Sequence, residues 1–202
     1  MAHDPIFGDP GLWGPSSPFR VKGTLLAARP RFVRERWGEA MVDEVAARAG
    51  DEAGRMLREE ILPFRWYPMG LMADIDRAIV EGPMEGDVTR MKAFGSEIAR
   101  YDLPTVYKML FRFGTPAFVI KRIRIAYGSY IQGGVIRSEV PEANRARVGL
   151  HEAALPKYLC THGICGWITA ALELSGGRDV RVEETACMHD GASHCEWDAR
   201  WA

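Results

Sequence analysis

Cysteine and histidine crowd into the last quarter of this 202-residue chain. The stretch from 160 to 201, with His151 just upstream, holds all four cysteines, four of the five histidines and three of the six tryptophans. Cys187 and Cys195 bracket a seven-residue turn, Met188 to His194, and Glu184 lies three residues before Cys187. In a hairpin such positions bring two thiols together. Cys160 and Cys165 lie at the start of the preceding helical stretch. Three thiolates with one carboxylate or imidazole make a donor set for Zn²⁺, which accepts tetrahedral S, N and O ligands. A metal there would pin helix to hairpin and contribute to folding. His162, His189 and His194 are alternative ligands, each also a natural surface turn residue. The spacing is not that of a standard zinc finger. Packing therefore competes as an explanation, with Cys160 and Cys165 as small buried apolar residues and Cys195 beside Trp197 and Trp201.

The elements that must position these residues follow from periodicity. From 178 to 186 and from 194 to 201 the pattern alternates, with Cys195, Trp197, Ala199 and Trp201 on one face and His194, Glu196, Asp198 and Arg200 on the other. A helix over 156–174, ended by Ser175-Gly176-Gly177, separates this pair from two earlier strands, 135–140 and 145–151. Upstream the period is helical. Pro30 is read as starting a helix at Arg31 that continues to Gly50. Further helices are expected from Asp51 to Leu62, from Leu71 to Val80, after the N-cap Asp87, over 103–113, and after Thr115-Pro116. Phe64 to Pro68 reads as an aromatic bend. The expected fold is α+β: N-terminal helices packed on a four-stranded antiparallel sheet with a ββαββ C-terminal half. Residues 1–19, rich in Pro and Gly, read as a flexible arm, and 20–202 as one ligand-binding domain, helical over 20–132 and ββαββ over 133–202.

Composition narrows the function classes. A net charge of −1 argues against a general nucleic-acid or anionic-membrane binder. No apolar run is long enough for a transmembrane helix, and the N-terminus lacks a signal-peptide pattern. A cytoplasmic location is expected, where close thiols point to metal or packing rather than disulfides.

The run Gly176 to Trp197, with its strand-borne Glu-x-x-Cys, glycine-bearing turn and second Cys before an acidic and an aromatic residue, resembles the C-terminal signature of the 4-vinyl-reductase-type domain. This small-molecule-binding module shares a superfamily with haem-NO-binding domains and TRAPP-type tethering subunits. The resemblance is specific over about residues 145–201 and looser upstream. It implies a structural zinc held by Glu184, Cys187, Cys195 and a cysteine at the preceding helix. Counted back along the motif, that fourth position falls one residue from Cys160, with Cys165 further out. It also implies an apolar ligand pocket, for which Trp66, Tyr67, Phe118, Tyr127, Tyr130 and Trp167 are candidate lining residues and His151 a polar anchor. The plainer reading of most of these is core. Haem, the sister function, would bring a Tyr-x-Ser-x-Arg clamp. Tyr127-Gly128-Ser129-Tyr130 keeps Tyr-x-Ser without the Arg.

Three functions compete. The first is a cytosolic sensor for a small hydrophobic or aromatic molecule, acting through a partner protein. The second is a dimeric structural or assembly protein that uses the same fold. The third is a reductase, which no Gly-rich dinucleotide loop or nucleophile–base pair supports.

Overall fold

The computed structural model of the chain describes residues 4–13, 17–59, 61–106, 114–153 and 155–202. Its contacts divide it into two compact units, residues 1–90 with 129–133, and residues 91–128 with 134–202.

The first unit carries helices α1 (Pro10–Trp13), α2 (Gly23–Trp37), α3 (Glu39–Arg48), α4 (Asp51–Arg58) and α5 (Met69–Glu81). It also carries a small antiparallel sheet, β1 (Arg20–Lys22), β2 (Trp66–Pro68) and β3 (Ile131–Gln132), in the order β2-β1-β3. Three expectations change here. The helix expected to begin at Pro30 begins at Gly23 with Pro30 inside it. Proline offers no N–H to the preceding turn, and beside that gap Arg29 Nη1 donates to the Leu25 carbonyl at 2.6 Å. The same guanidinium donates through Nε and Nη2 to both carboxylate oxygens of Asp76 on α5, at 3.0 and 2.9 Å. This buried, bidentate pair fixes α2 to α5. The single helix expected up to Gly50 is split at Gly38, whose φ of 89° an α-helix does not allow. The bend expected at Phe64 to Pro68 contains β2, paired in register with β1 as Val21↔Tyr67 and Lys22↔Trp66.

Part of the arm is docked. Phe7 and Trp13 are buried, Trp13 Nε1 donates to the Phe7 carbonyl at 3.1 Å, and Arg77 of α5 covers the Phe7 ring while pairing with Asp4 at 2.9 Å. Burial of two aromatic rings outweighs the loop-forming composition.

The second unit begins with α6 (Met91–Val106). The break expected at Leu103 does not occur, and the remainder of the helix expected over 103–113 lies outside the described residues. Thr115 caps α7 (Pro116–Ile120) by accepting the Phe118 N–H, as the Thr-Pro signal predicts. Next come α8 (Ile123–Tyr130), β4 (Val135–Glu142) and β5 (Arg145–His151), and, after an intervening turn, α9 (Cys165–Leu174), β6 (Arg181–Ala186) and β7 (Cys195–Arg200). The four strands form one antiparallel sheet in the order β4-β5-β7-β6. The α+β class and the ββαββ half are as read from the sequence.

α6 and α9 approach at backbone distance. A Cβ on Gly166 would lie 1.9 Å from the Lys92 carbonyl oxygen, and one on Gly95 would lie 2.1 Å from that of Gly163. Gly166→Ala should therefore destabilise the chain by about 1–3 kcal/mol through forced separation of these helices. Gly128→Ala, in a helix with open space around it, should be neutral or stabilising by up to about 1 kcal/mol. Urea unfolding midpoints of the two variants check both.

Candidate metal centre

Each cysteine of the C-terminal quarter owes its position to a local device. Cys160 sits in a π-helical turn, Leu159–Ile164, that precedes α9. Glu184 lies on β6, across from Trp197 of β7, at a register shift between Glu184 and Ala186. Cys187 opens the 3₁₀ turn Met188–Asp190, which Gly191 closes at φ 90°. Cys195 begins β7 against Leu150. The Sγ atoms of Cys160 and Cys195 and a carboxylate oxygen of Glu184 all lie within 4.8 Å of one another. The Cys187 thiol is hydrogen-bonded to Cys195 and faces the Glu184 carboxyl. Three of the residues named by the resemblance thus form one group, and Cys187 adjoins it through Cys195.

The cysteine that faces Glu184 and Cys195 is Cys160, buried in the π turn. The Cys160 carbonyl, in turn, accepts Trp197 Nε1–H at 2.9 Å. Cys165 points its thiol at that same carbonyl, 3.9 Å away, and stands outside the group. The alternative histidines also stand outside. His189 Nε2 is 2.6 Å from the Leu155 carbonyl, His162 stays within the π turn, and His194 stacks on His151.

The electrostatics are those of crowded, buried acids. Burial raises the Glu184 carboxyl, although Thr161 Oγ1 donates to its Oε2 at 2.9 Å. Its Oε1 is buried without a hydrogen-bond partner. The Cys195 thiol is pushed up to about 12 by its hydrogen bond with Cys160 and by burial, against a lowering contact with Cys187. Cys187 is raised by the bond to Cys195, then by burial. For Cys160 the bond to Cys195 lowers the value, but burial and the nearby Glu184 and Cys187 carry the net shift upward. Lys157, whose charge reaches Glu184, is committed to Asp190 at 2.6 Å. Three sulfurs and one oxygen fit Zn²⁺, whose ~2.3 Å bonds to sulfur set S···S edges of about 3.8 Å. Backbone N–H groups already face the sulfurs, Met188 to Cys195 at 3.5 Å and His189 to Cys187, as thiolates require. Sequence reasoning missed Thr161, Trp197 and these amides, because second-layer partners carry no spacing signature.

No protein-family model matches this sequence, and no curated protein is significantly similar to it. Solved structures are similar over most of the chain. An H-NOX protein from S. oneidensis in the Fe(II)NO ligation state superposes with a TM-score of 0.72 at 15% identity, covering 90% of this chain and 99% of that one. A point variant of the T. Tengcongensis H-NOX gives 0.69 at 14%, covering 89% and 97%. Fe(II) unliganded H-NOX from K. algicida gives 0.67 at 11%, covering 90% and 96%. The fold is the H-NOX fold. The likeness supports the haem-NO-binding branch of the resemblance at the level of fold, and the 4-vinyl-reductase branch rests on the motif residues alone.

An H-NOX fold raises the question of haem. Tyr127 and Ser129 lie on α8, where a two-residue step turns side chains by about 200°. They diverge, and Ile131 stands where the clamp needs Arg. Of the four histidines among the described residues, His151 and His194 are stacked on each other, His189 is engaged by the Leu155 carbonyl and His162 lies in the π turn. The clamp positions do not fit the haem set that the resemblance implies.

The candidate pocket residues fall in both units. Trp66, under the Lys22 ammonium at 4.5 Å, and Tyr67 line an open cleft of about 260 Å³ in the first unit, together with Met56, Leu62 and the charged Arg55, Glu59 and Arg65. Tyr130 is buried in that unit. In the second unit Phe118 lies under Arg122 at 3.6 Å, and Trp167 packs on a core of Ala99, Leu103, Val119, Ala170 and Ala171. Burial, with Cys160 nearby, raises the Tyr127 phenol. His151 ends β5 against His194 rather than facing solvent alone.

The purified chain should carry about one zinc by elemental analysis. Cys187→Ser should lose it and Cys165→Ala should keep it. Thr161→Val, which frees Glu184, should weaken zinc affinity ~10–100-fold. Zinc binding near neutral pH should release about three protons, read by calorimetry in buffers of different ionisation enthalpy. Without metal, Cys195 contributes stability that is present below its ordinary 9.0 and lost as pH rises toward about 12.

Proposed function

We propose that this chain is a small-molecule-sensing module of the H-NOX fold, its C-terminal hairpin fixed by a structural zinc ion at Cys160, Glu184, Cys187 and Cys195. The observation that carries this reading is the convergence of Cys160, Glu184 and Cys195 from three separate elements. Four protein donors fill a tetrahedral shell and leave no open position for substrate, which makes the metal structural rather than catalytic. The zinc's contribution is to hold thiolates and carboxylate together. Trp197 and Thr161 orient two of those donors. We read the chain as a binding protein rather than an enzyme. Its ligand is a small hydrophobic or aromatic molecule, the class that the resemblance implies. No helix among the described residues is long and apolar enough to cross a membrane, and an unoxidised thiol cluster suits a reducing cytoplasm.

The test takes the zinc-loaded chain and measures its melting temperature with phenol, toluene and hemin, alongside its mass in solution. Phenol or toluene should raise the melting point by mass action, and hemin should give no stoichiometric, axially ligated absorption spectrum. A stoichiometric ligated hemin spectrum would replace this reading with haem sensing, which the H-NOX neighbours favour. A stable dimer that none of the three ligands stabilises would favour the assembly role.

A further inference from the structure

The outer face of the same sheet carries a second group of donors. Leu150 pairs with Cys195 and Gly149 with Glu196, which sets His151 directly opposite His194 and aims both away from the thiols. The two rings stack with centroids 4.4 Å apart and planes 18° from parallel. A side chain at 149 would disturb them: a Cβ there would lie 2.9 Å from His151 Nε2 and 3.5 Å from His194 Cδ2. Both imidazoles therefore lie over a bare glycine, whose register partner is Glu196. His194 Nε2 is 3.8 Å from Glu196 Oε2, and His194 Nδ1 is 3.0 Å from Ser193 Oγ. When Nδ1 carries the proton and donates to Ser193, Nε2 presents its lone pair on the Glu196 side, the arrangement that metal-ligating imidazoles adopt. Around the pair, Arg137 on β4 opposes a cation, while Glu152 and Glu196 favour one.

We propose that His151, His194 and Glu196 form a second, solvent-facing site for a divalent transition metal ion, back to back with the cysteine cluster across β7. Two imidazoles and a carboxylate select zinc, nickel or copper over calcium and magnesium. Water would fill the remaining positions. Binding requires the two half-exposed rings to turn out of their stack, which the soft terminal torsions of imidazoles allow.

Cobalt(II) separates the two sites, because thiolate ligation gives an intense sulfur-to-metal charge-transfer band and imidazole–carboxylate ligation does not. The full chain is titrated with a few equivalents of Co²⁺ under reducing conditions, with binding followed by calorimetry and absorption. The expected result is two equivalents, one with the band and one without. His194→Gln and His151→Gln should each weaken the band-free step at least ~10-fold and leave the other unchanged, with circular dichroism confirming the fold. Cys187→Ser should remove the band and spare the second step. A chain that stops at the band-bearing equivalent overturns this proposal, and so does a band-free step that persists in both histidine variants. Loss of the band alone in the wild type would count against the zinc reading and leave this one standing.

Discussion

Much of the C-terminal half answers to one constraint: three thiols and a carboxyl are crowded into one largely buried region. Burying such groups unpaired is costly, and each of the four is displaced toward its neutral form. The surrounding elements accept further constraints to hold them there. A π turn carries Cys160, a register shift sets Glu184, a left-handed glycine closes the Cys187 turn, and the Trp197 indole is tied to the Cys160 carbonyl. Local strain and irregularity are expected where a site, rather than a core, dictates geometry.

How much of this was legible in the sequence depends on the range of the interaction. The hairpin was legible because Glu184, Cys187 and Cys195 are local in sequence and ride on a period-2 pattern that also predicts the strands. The choice between Cys160 and Cys165 was not, because a π turn has no composition signal and changes facing by one residue. The three-stranded sheet of the first unit was not legible either. Its strands are two or three residues long, too short to show a period, and their pairing joins residues as far apart in the chain as Val21 and Ile131.

The first unit shows the same limit from the other side. Pro30 is a strong local signal that tertiary contacts overrule, and in the Pro- and Gly-rich arm Phe7 and Trp13 are anchored. Arg29 reaches two elements at once, Leu25 on its own helix and Asp76 on α5. The α2–α5 pairing stabilises a helix that contains a proline, which propensity alone would place at its start. In the arm, Arg77 stacks on Phe7 while its charge meets Asp4, so a polar and an aromatic contact reinforce each other at one point.

The single strand β7 joins the chemistry of both faces of the sheet. Its alternation sends Cys195 and Trp197 inward and His194 and Glu196 outward, so the consecutive pair His194-Cys195 divides a borderline from a soft donor. A thiolate facing the interior gains from exclusion of water, while an imidazole facing solvent keeps the exchangeable positions a more labile metal needs. Gly149 on the neighbouring strand serves both. Its missing side chain leaves room for the rings outside, and its neighbour Leu150 packs against Cys195 within. A substitution at that glycine would push His151 aside and leave the inner register intact, which is why the two faces are separable by mutation despite sharing a backbone.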